Sequence, residues 1–139
     1  MNTLGDPTAV AEVPVSGECD ISRARVVAAG LAAEAGFSRA AIYRLATAVS
    51  ELSTNLVFHA SAGGTIRLTL LKRGPSWGIE VTAEDKGPGI ADVELAMRDG
   101  YSTNGGLGSG LPGCRRLMDE FQIASEVGRG TTVVARIWS

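Results

Sequence analysis

The chain is poor in the residues from which many common sites are built. It has one histidine in 139 residues, which excludes a histidine-rich metal centre. Its two cysteines, Cys19 and Cys114, match no metal or redox spacing. Both are expected to be reduced packing residues of a cytoplasmic protein. No apolar run reaches the roughly 18 residues that cross a bilayer, so no membrane partner is expected. The first residues lack a basic segment followed by an apolar stretch, so no secretory signal is expected. Basic residues are not clustered. With a net charge of −2 and a pI near 5.4, this argues against nucleic acid as the main partner. Three catalytic signatures are missing as well: the Walker A glycine-lysine loop, the catalytic and metal motifs of eukaryotic-type kinases, and the Gly-x-Ser-x-Gly elbow of serine hydrolases.

What is present is a globular composition. Apolar residues make up 45%, and the length suits one domain with a modest core. Residues 1–10 mix Gly, Asp, Pro and Thr without periodicity and read as a loose tail, with a single domain over 11–139. Residues 11–18 read as an edge strand that tolerates Pro14. Asp20 is placed as the N-cap of a helix that Gly36 ends. Ser38 caps a longer helix to about residue 60, in which Ile42, Leu45, Val49, Leu52 and Leu56 recur at helical spacing. Alternation then predicts a hairpin of two strands ending at Asp85, with a turn at 73–76. A short helix over 92–98, a glycine-rich loop over 99–110 and a helix opened by Leu111-Pro112 follow. A last hairpin turns at Gly128-Arg-Gly130. The fold expected is an α/β two-layer sandwich, one mixed sheet with helices on one face.

Three short boxes carry the chemistry. The first is Glu51-Leu-Ser-Thr-Asn55. Glu51 and Asn55 share a helix face offset from the apolar stripe. They are either an ordinary solvated helix edge, or a base for a hydroxyl proton beside an oxygen ligand suited to Mg²⁺. The second is Asp85-Lys-Gly-Pro-Gly89. An ionised carboxylate accepts hydrogen bonds and cannot donate, so Asp85 suits the exocyclic amine of adenine and disfavours the carbonyl of guanine. Gly87 and Gly89 let backbone approach a flat base, although the same residues make an ordinary turn. The third is Gly105-Gly-Leu-Gly-Ser-Gly110, just before a helix. It is either a linker or a hinged phosphate-binding lid, and a structureless loop of this length in a small domain favours the lid. The overlapping Gly108-Ser-Gly-Leu-Pro-Gly113 fits the dinucleotide fingerprint in spacing, but follows a loop and not a strand.

Together the boxes, with Asp99-Gly-Tyr-Ser-Thr103 and Arg116-Leu-Met-Asp-Glu-Phe121, resemble the GHKL superfamily of ATPases and kinases. Within it they resemble the small anti-sigma serine/threonine kinases and the switch kinases of stressosome signalling, over residues 11–138. The resemblance implies the Bergerat fold and Mg²⁺-ATP as phosphate source. It implies Glu51 as general base, Asn55 as Mg²⁺ ligand and Asp85 as adenine reader. Gly87, Gly89 and Ile90 would shape the base pocket. Gly105, Gly106, Leu107, Gly108, Ser109, Gly110 and Leu111 would meet the phosphates, and Thr131 would support Asp85. The implied activity is phosphorylation of STAS-domain scaffold and antagonist proteins, with a downstream PP2C-type phosphatase or a sigma factor as a further partner. His59 departs from the aromatic of the stressosome kinases and occurs in the wider anti-sigma group; Arg25 falls near an N-terminal arginine of these kinases. Two other readings are a nucleotide-gated partner-binding module with little turnover, and the ATPase part of a histidine kinase. The second lacks a dimerising phospho-acceptor helix pair.

Overall fold

The computed structural model describes residues 8–59, 63–85, 87 and 110–139. Their order is β1 (Thr8–Val15), α1 (Glu18–Glu34), α2 (Arg39–His59), β2 (Gly64–Arg73), β3 (Ser76–Asp85), α3 (Gly110–Leu117), β4 (Glu120–Glu126) and β5 (Gly130–Trp138). The expected helix at 92–98 and most of the glycine-rich loop lie outside the described residues.

The helices begin and end for local reasons. Gly17 is the N-cap of α1, in extended backbone. Asp20 is not the cap but the third helical residue. Its carboxylate reaches back to accept from the Ser16 and Gly17 N–H groups at 2.9 and 3.2 Å. Those bonds hold the Asp20 carboxyl below its ordinary range. At the other end Gly36 takes φ +84°, while Gly36 N–H bonds to Ala33 O and Phe37 N–H to Ala32 O. This closes the helix in a left-handed turn that a β-carbon would strain. Ser38 caps α2 as expected, its Oγ accepting from Ala41 N–H at 3.1 Å.

α1 buries the small residues Ala24, Ala28 and Ala32, one turn apart, which lets it pack closely. α2 buries Leu45, Ala48, Val49, Leu52 and Leu56 completely or nearly so, with Ile42 half-buried at the rim. Each buried leucine contributes about 1.5–3 kcal/mol over an exposed one. The strands match this layer from below with Val13, Val15, Ile66, Leu68, Ile79, Val81, Ala83, Val133, Ala135 and Ile137.

The sheet order is β1-β2-β3-β5-β4, and every pairing among the described strands is antiparallel. The expected mixed sheet is therefore corrected. The reason lies in the connection between β1 and β2. A single crossover helix would carry the chain back to the start of a parallel neighbour. Here two helices run out and back, so β2 starts where β1 stops, with Val15 opposite Gly64. β1 also begins at Thr8, taking in residues expected to belong to the tail.

The sheet's other face carries a polar lattice. Arg136 on β5 stands opposite Glu80 on β3 and Glu120 on β4, and bonds to each carboxylate at 2.8 Å. Glu120 also accepts from Trp138 Nε1 at 2.8 Å. The Trp138 ring lies over Gly78, where an added β-carbon would come within 2.5 Å of it. Arg73 stacks on this ring, 3.9 Å from its centroid. The Arg136 and Trp138 hydrogen bonds hold the Glu120 carboxyl below its ordinary range.

Two predictions follow from packing and charge. Gly64 sits where a β-carbon would meet Glu84 O at 2.2 Å and Leu56 Cδ2 at 2.7 Å. Gly64→Ala should lower stability by about 1–3 kcal/mol, read by urea unfolding; an unchanged midpoint would refute the crowding. The depressed Glu120 carboxyl stabilises the fold above its unfolded value near 4.5, and this contribution is lost as pH falls through the lower folded value. Glu120→Gln should cost about 0.2–1 kcal/mol at pH 7. Its gap from wild type should shrink below about pH 4.5.

Candidate functional site

The site residues gather in two clusters over one end of the sheet. The first joins α2 to α3. The buried stripe of α2 sets its rotation and leaves Glu51 and Asn55 half-buried on an adjacent edge, one turn apart. Gly110, the first residue of α3, has φ +47° and donates its N–H to Glu51 Oε1 at 3.1 Å. The first and third boxes thus meet through one hydrogen bond. The positive end of α3 faces a carboxylate there, a favourable pairing at a helix start. Leu111, expected beside the phosphates, is buried in the core at this junction.

Cys114, one turn further along α3, is fully buried. Burial first, and then the Glu51 charge, push its thiol up from 9.0 to about 12. The expectation of a reduced packing residue holds for Cys114. Cys19 departs from it: on the first turn of α1 it is exposed, because the buried alanine stripe occupies another face of that helix.

The second cluster lies where β3 meets the β4–β5 hairpin. Asp85 ends β3, and its Oδ1 accepts from Gly87 N–H at 2.7 Å, closing the turn expected after a strand. The β3–β5 register pairs Ala83 with Val133 and Glu84 with Thr132, so Asp85 and Thr131 come next in line. Both continue the helix-facing set of their strands. Thr131 Oγ1 lies 2.7 Å from Ser125 Oγ on β4. Ser125 was not singled out from the sequence. Counting outward from Gly128 and Gly130 pairs it with Thr131, and that was the available signal.

A cleft of about 310 Å³ opens at these strand ends, lined by Asp85 and Ser125 of the helix-facing set and by Glu84, Ala124, Glu126 and Thr132 of the opposite set, with Arg129 from the turn. Its carboxylates outnumber Arg129, which is itself paired with Glu126 at 3.3 Å. Such a rim suits an uncharged group with hydrogen-bond donors and repels a polyphosphate. The first cluster differs: its helix-start N–H, that of Gly110, already meets an anion, the Glu51 carboxylate. Gly89, Ile90, Gly105, Gly106, Leu107, Gly108 and Ser109 lie outside the described residues. Arg25 is exposed on α1. Among the described residues no group of His, Cys, Asp or Glu forms a self-contained metal cage. No described helix is long and apolar enough to cross a membrane.

An antiparallel sheet covered on one face by helices, with a donor-seeking cleft and a helix start at the same end, is the architecture of a nucleotide-binding ATPase domain. The description "Histidine kinase-like ATPase domain" matches residues 15–137, and the chain belongs to that family. It is 44% identical over 126 residues to the serine/threonine-protein kinase RsbT of Bacillus subtilis, covering 91% of this chain and 94% of that one. It is 35% identical over 117 residues to an anti-sigma F factor of Thermoanaerobacter, covering 81% and 80% of the two chains. The anti-sigma F factor of Clostridium acetobutylicum is 32% identical over 120 residues, covering 83% and 82%.

The two thiols should separate cleanly in a labelling experiment. Iodoacetamide at pH 8 should modify Cys19 in the native protein and leave Cys114 untouched until urea is added, read by peptide mass spectrometry. Glu51→Gln should leave Cys114 protected, because burial is the larger cause. Equal labelling of both native cysteines would contradict the packing at α3.

Proposed function

We propose that this chain is a protein serine/threonine kinase that uses Mg²⁺-ATP to phosphorylate a STAS-domain partner and so switches between partners. The observation that carries the reading is the bond from Gly110 N–H to Glu51 Oε1 at 3.1 Å, which joins a carboxylate to the end of the glycine-rich loop. Binding a nucleotide does not require a base; transferring its phosphate to a hydroxyl does.

In this reading the base enters beside Asp85, at the strand ends on the helix-facing side. Asp85 keeps accepting capacity beyond the bond from Gly87, enough for the adenine amine. Gly87 shapes the pocket, together with Gly89 and Ile90, which are assigned on sequence alone. The phosphates lie towards α3, met by the glycines of residues 105–110 with Leu107 and Ser109, while Leu111 anchors the end of the loop in the core. A phosphate oxygen that takes Gly110 N–H displaces Glu51, since two anions do not share that donor comfortably. The freed carboxylate then accepts the proton of the partner's hydroxyl. The hydroxyl oxygen bonds to the γ-phosphorus, the bond to the bridging oxygen breaks, and ADP leaves with those electrons.

The donor set suits Mg²⁺. The carboxamide oxygen of Asn55 is a hard ligand one turn from Glu51, and Mg²⁺ is commonly held by one or two protein oxygens together with phosphates. When bound, the ion would neutralise charge on the phosphates. The relatives support both halves of the reading, since one is named a kinase and others anti-sigma factors. The stressosome setting, a STAS scaffold and antagonist, and a PP2C-type phosphatase released to act downstream belong to this proposal. So does one domain running from β1 to the end of β5.

The anti-sigma F relatives favour a second reading, stoichiometric capture of a sigma factor gated by nucleotide. One experiment separates the two. Incubation with γ-labelled ATP, Mg²⁺ and a STAS-domain protein should label the partner on Ser or Thr, and Glu51→Ala should reduce the rate by about 10²–10⁴-fold. Transfer that is absent in wild type, or undiminished in Glu51→Ala, would reject the kinase mechanism. A one-to-one sigma complex without transfer would establish the alternative.

A further inference from the structure

We propose that the edge of α2 bearing Glu51 reads the protein substrate. Arg44 and Arg115 receive an acidic side chain of the partner on one side of the acceptor hydroxyl, and Phe58 receives an apolar one on the other. The inference rests on the kinase reading above and names the surface on which that partner docks.

The helix period sets the line. Arg44, Glu51 and Phe58 follow one another at intervals of seven residues, and α2 is unbroken across them. Seven residues fall about 20° short of two full turns, so the three share one face, each about 10 Å from the next. A hydroxyl that gives its proton to Glu51 must come within about 3 Å of it. The domain that carries this hydroxyl also covers the positions two turns away on either side, since a standard interface takes in about 800 Å² of each partner.

On one side of Glu51 stands an exposed aromatic ring. Phe58 is 52% exposed. Val26, Tyr43 and Val127 are exposed as well, but none is on this line. Tyr43, eight residues before Glu51, is turned about 80° from it, and the other two are on other elements. On the other side stand two arginines. α3 runs antiparallel beside α2, because its Gly110 end is tied to Glu51, while Asp119, just past its last turn, lies 3.7 Å from Arg44. Between these ties α3 exposes Arg115. Asp119 leaves Arg44 with donors to spare. Its other oxygen accepts from Trp138 N–H at 2.7 Å, the pair with Arg44 is long, and a guanidinium has five N–H groups. Two guanidinium groups are thus open to solvent beside the base, whereas the cleft at the strand ends is rich in carboxylates. A carboxylate on the partner complements them through paired hydrogen bonds. The aromatic anchor supplies affinity and the charges supply orientation, a division common at protein interfaces.

The test measures transfer from labelled ATP to a STAS-domain protein as the concentration of that protein is varied. Phe58→Ala should raise the KM for the partner about fivefold or more, and Arg115→Glu about threefold to tenfold, with kcat near the wild-type value. Added salt should raise the wild-type KM and affect Arg115→Glu less, because the attraction that salt screens is gone. Calorimetry with ADP should give the wild-type affinity for both variants, and thermal melting confirms folding. A lysine in place of the partner's acidic residue nearest the mapped acceptor should weaken transfer by wild type, and Arg115→Glu should restore it. An unchanged partner KM in either variant overturns the inference and leaves the kinase reading standing. A raised KM for ATP in Arg115→Glu, with that for the partner unchanged, puts the arginine on the phosphates and overturns it too. No transfer by wild type rejects the kinase reading, and the inference falls with it.

Discussion

The rotation of α2 about its own axis is the constraint on which the site depends. Leu45, Val49, Leu52 and Leu56 are buried against the sheet and the neighbouring helices, and no other rotation hides all four. Once that stripe is down, Glu51 and Asn55 fall on the adjacent edge because residues four apart share a face. Neither needs a partner on its own helix to be aimed. The hydrophobic term that folds the domain also directs its polar chemistry, and Glu51 meets Gly110 across the α2–α3 junction as a consequence. Substitutions in the stripe would therefore disturb the site through geometry before they unfolded the chain.

The stretch from Ser50 to Asn55 is also where α2 departs most from what packing alone would select. Ser50 Oγ bonds back to Ala46 O at 3.0 Å, and Thr54 Oγ1 to Ser50 O at 2.7 Å, contacts that compete with the helix ladder. Ser53 is fully buried, and its Oγ finds no partner among the described residues. An unmade hydrogen bond of this kind costs about 1–3 kcal/mol. A helix chosen only for stability would carry Ala there. Local rules tend to be broken where a sequence serves function, and here the breach surrounds Glu51 and Asn55.

Much of this was legible in the sequence, for reasons that differ by element. Periodicity alone places α2 and the β2–β3 hairpin, because a stripe of leucines and an alternation of Ile66 and Leu68 with Thr65 and Arg67 are local signals. The structure brings the first and third boxes together through Glu51 and Gly110, a contact between elements that neither motif reports by itself. The antiparallel sense of β1 and β2 was not legible, since it depends on α1 and α2 running out and back, a relation between elements and not within one. Asp20 looked like a cap because Asp commonly is one; the cap is Gly17, and only the reach of a side chain from the third helical residue reveals it. Cys19 was assigned to packing by residue type, yet its place on α1 turns it to solvent.

Register explains why Asp85, and not Glu84, stands on the helix-facing side of the sheet. Glu84 and Asp85 are adjacent, and a slip of one residue in β3 would exchange them between the two faces of the sheet. Both are carboxylates, so charge alone would not report the error. What opposes the slip lies elsewhere on the strand. Gly64 stands opposite Asp85, with no room for a side chain between Glu84 O and Leu56. Gly78 lies under the Trp138 ring, and a slip would bring a larger neighbour there. Arg136 meets Glu80 and Glu120 only when all three stand in line across β3, β5 and β4. Each such half-buried surface ion pair contributes little to stability by itself. Arranged in a row on the open face, they instead make one register better than its neighbours, and that register puts Asp85 on the helix side beside Thr131.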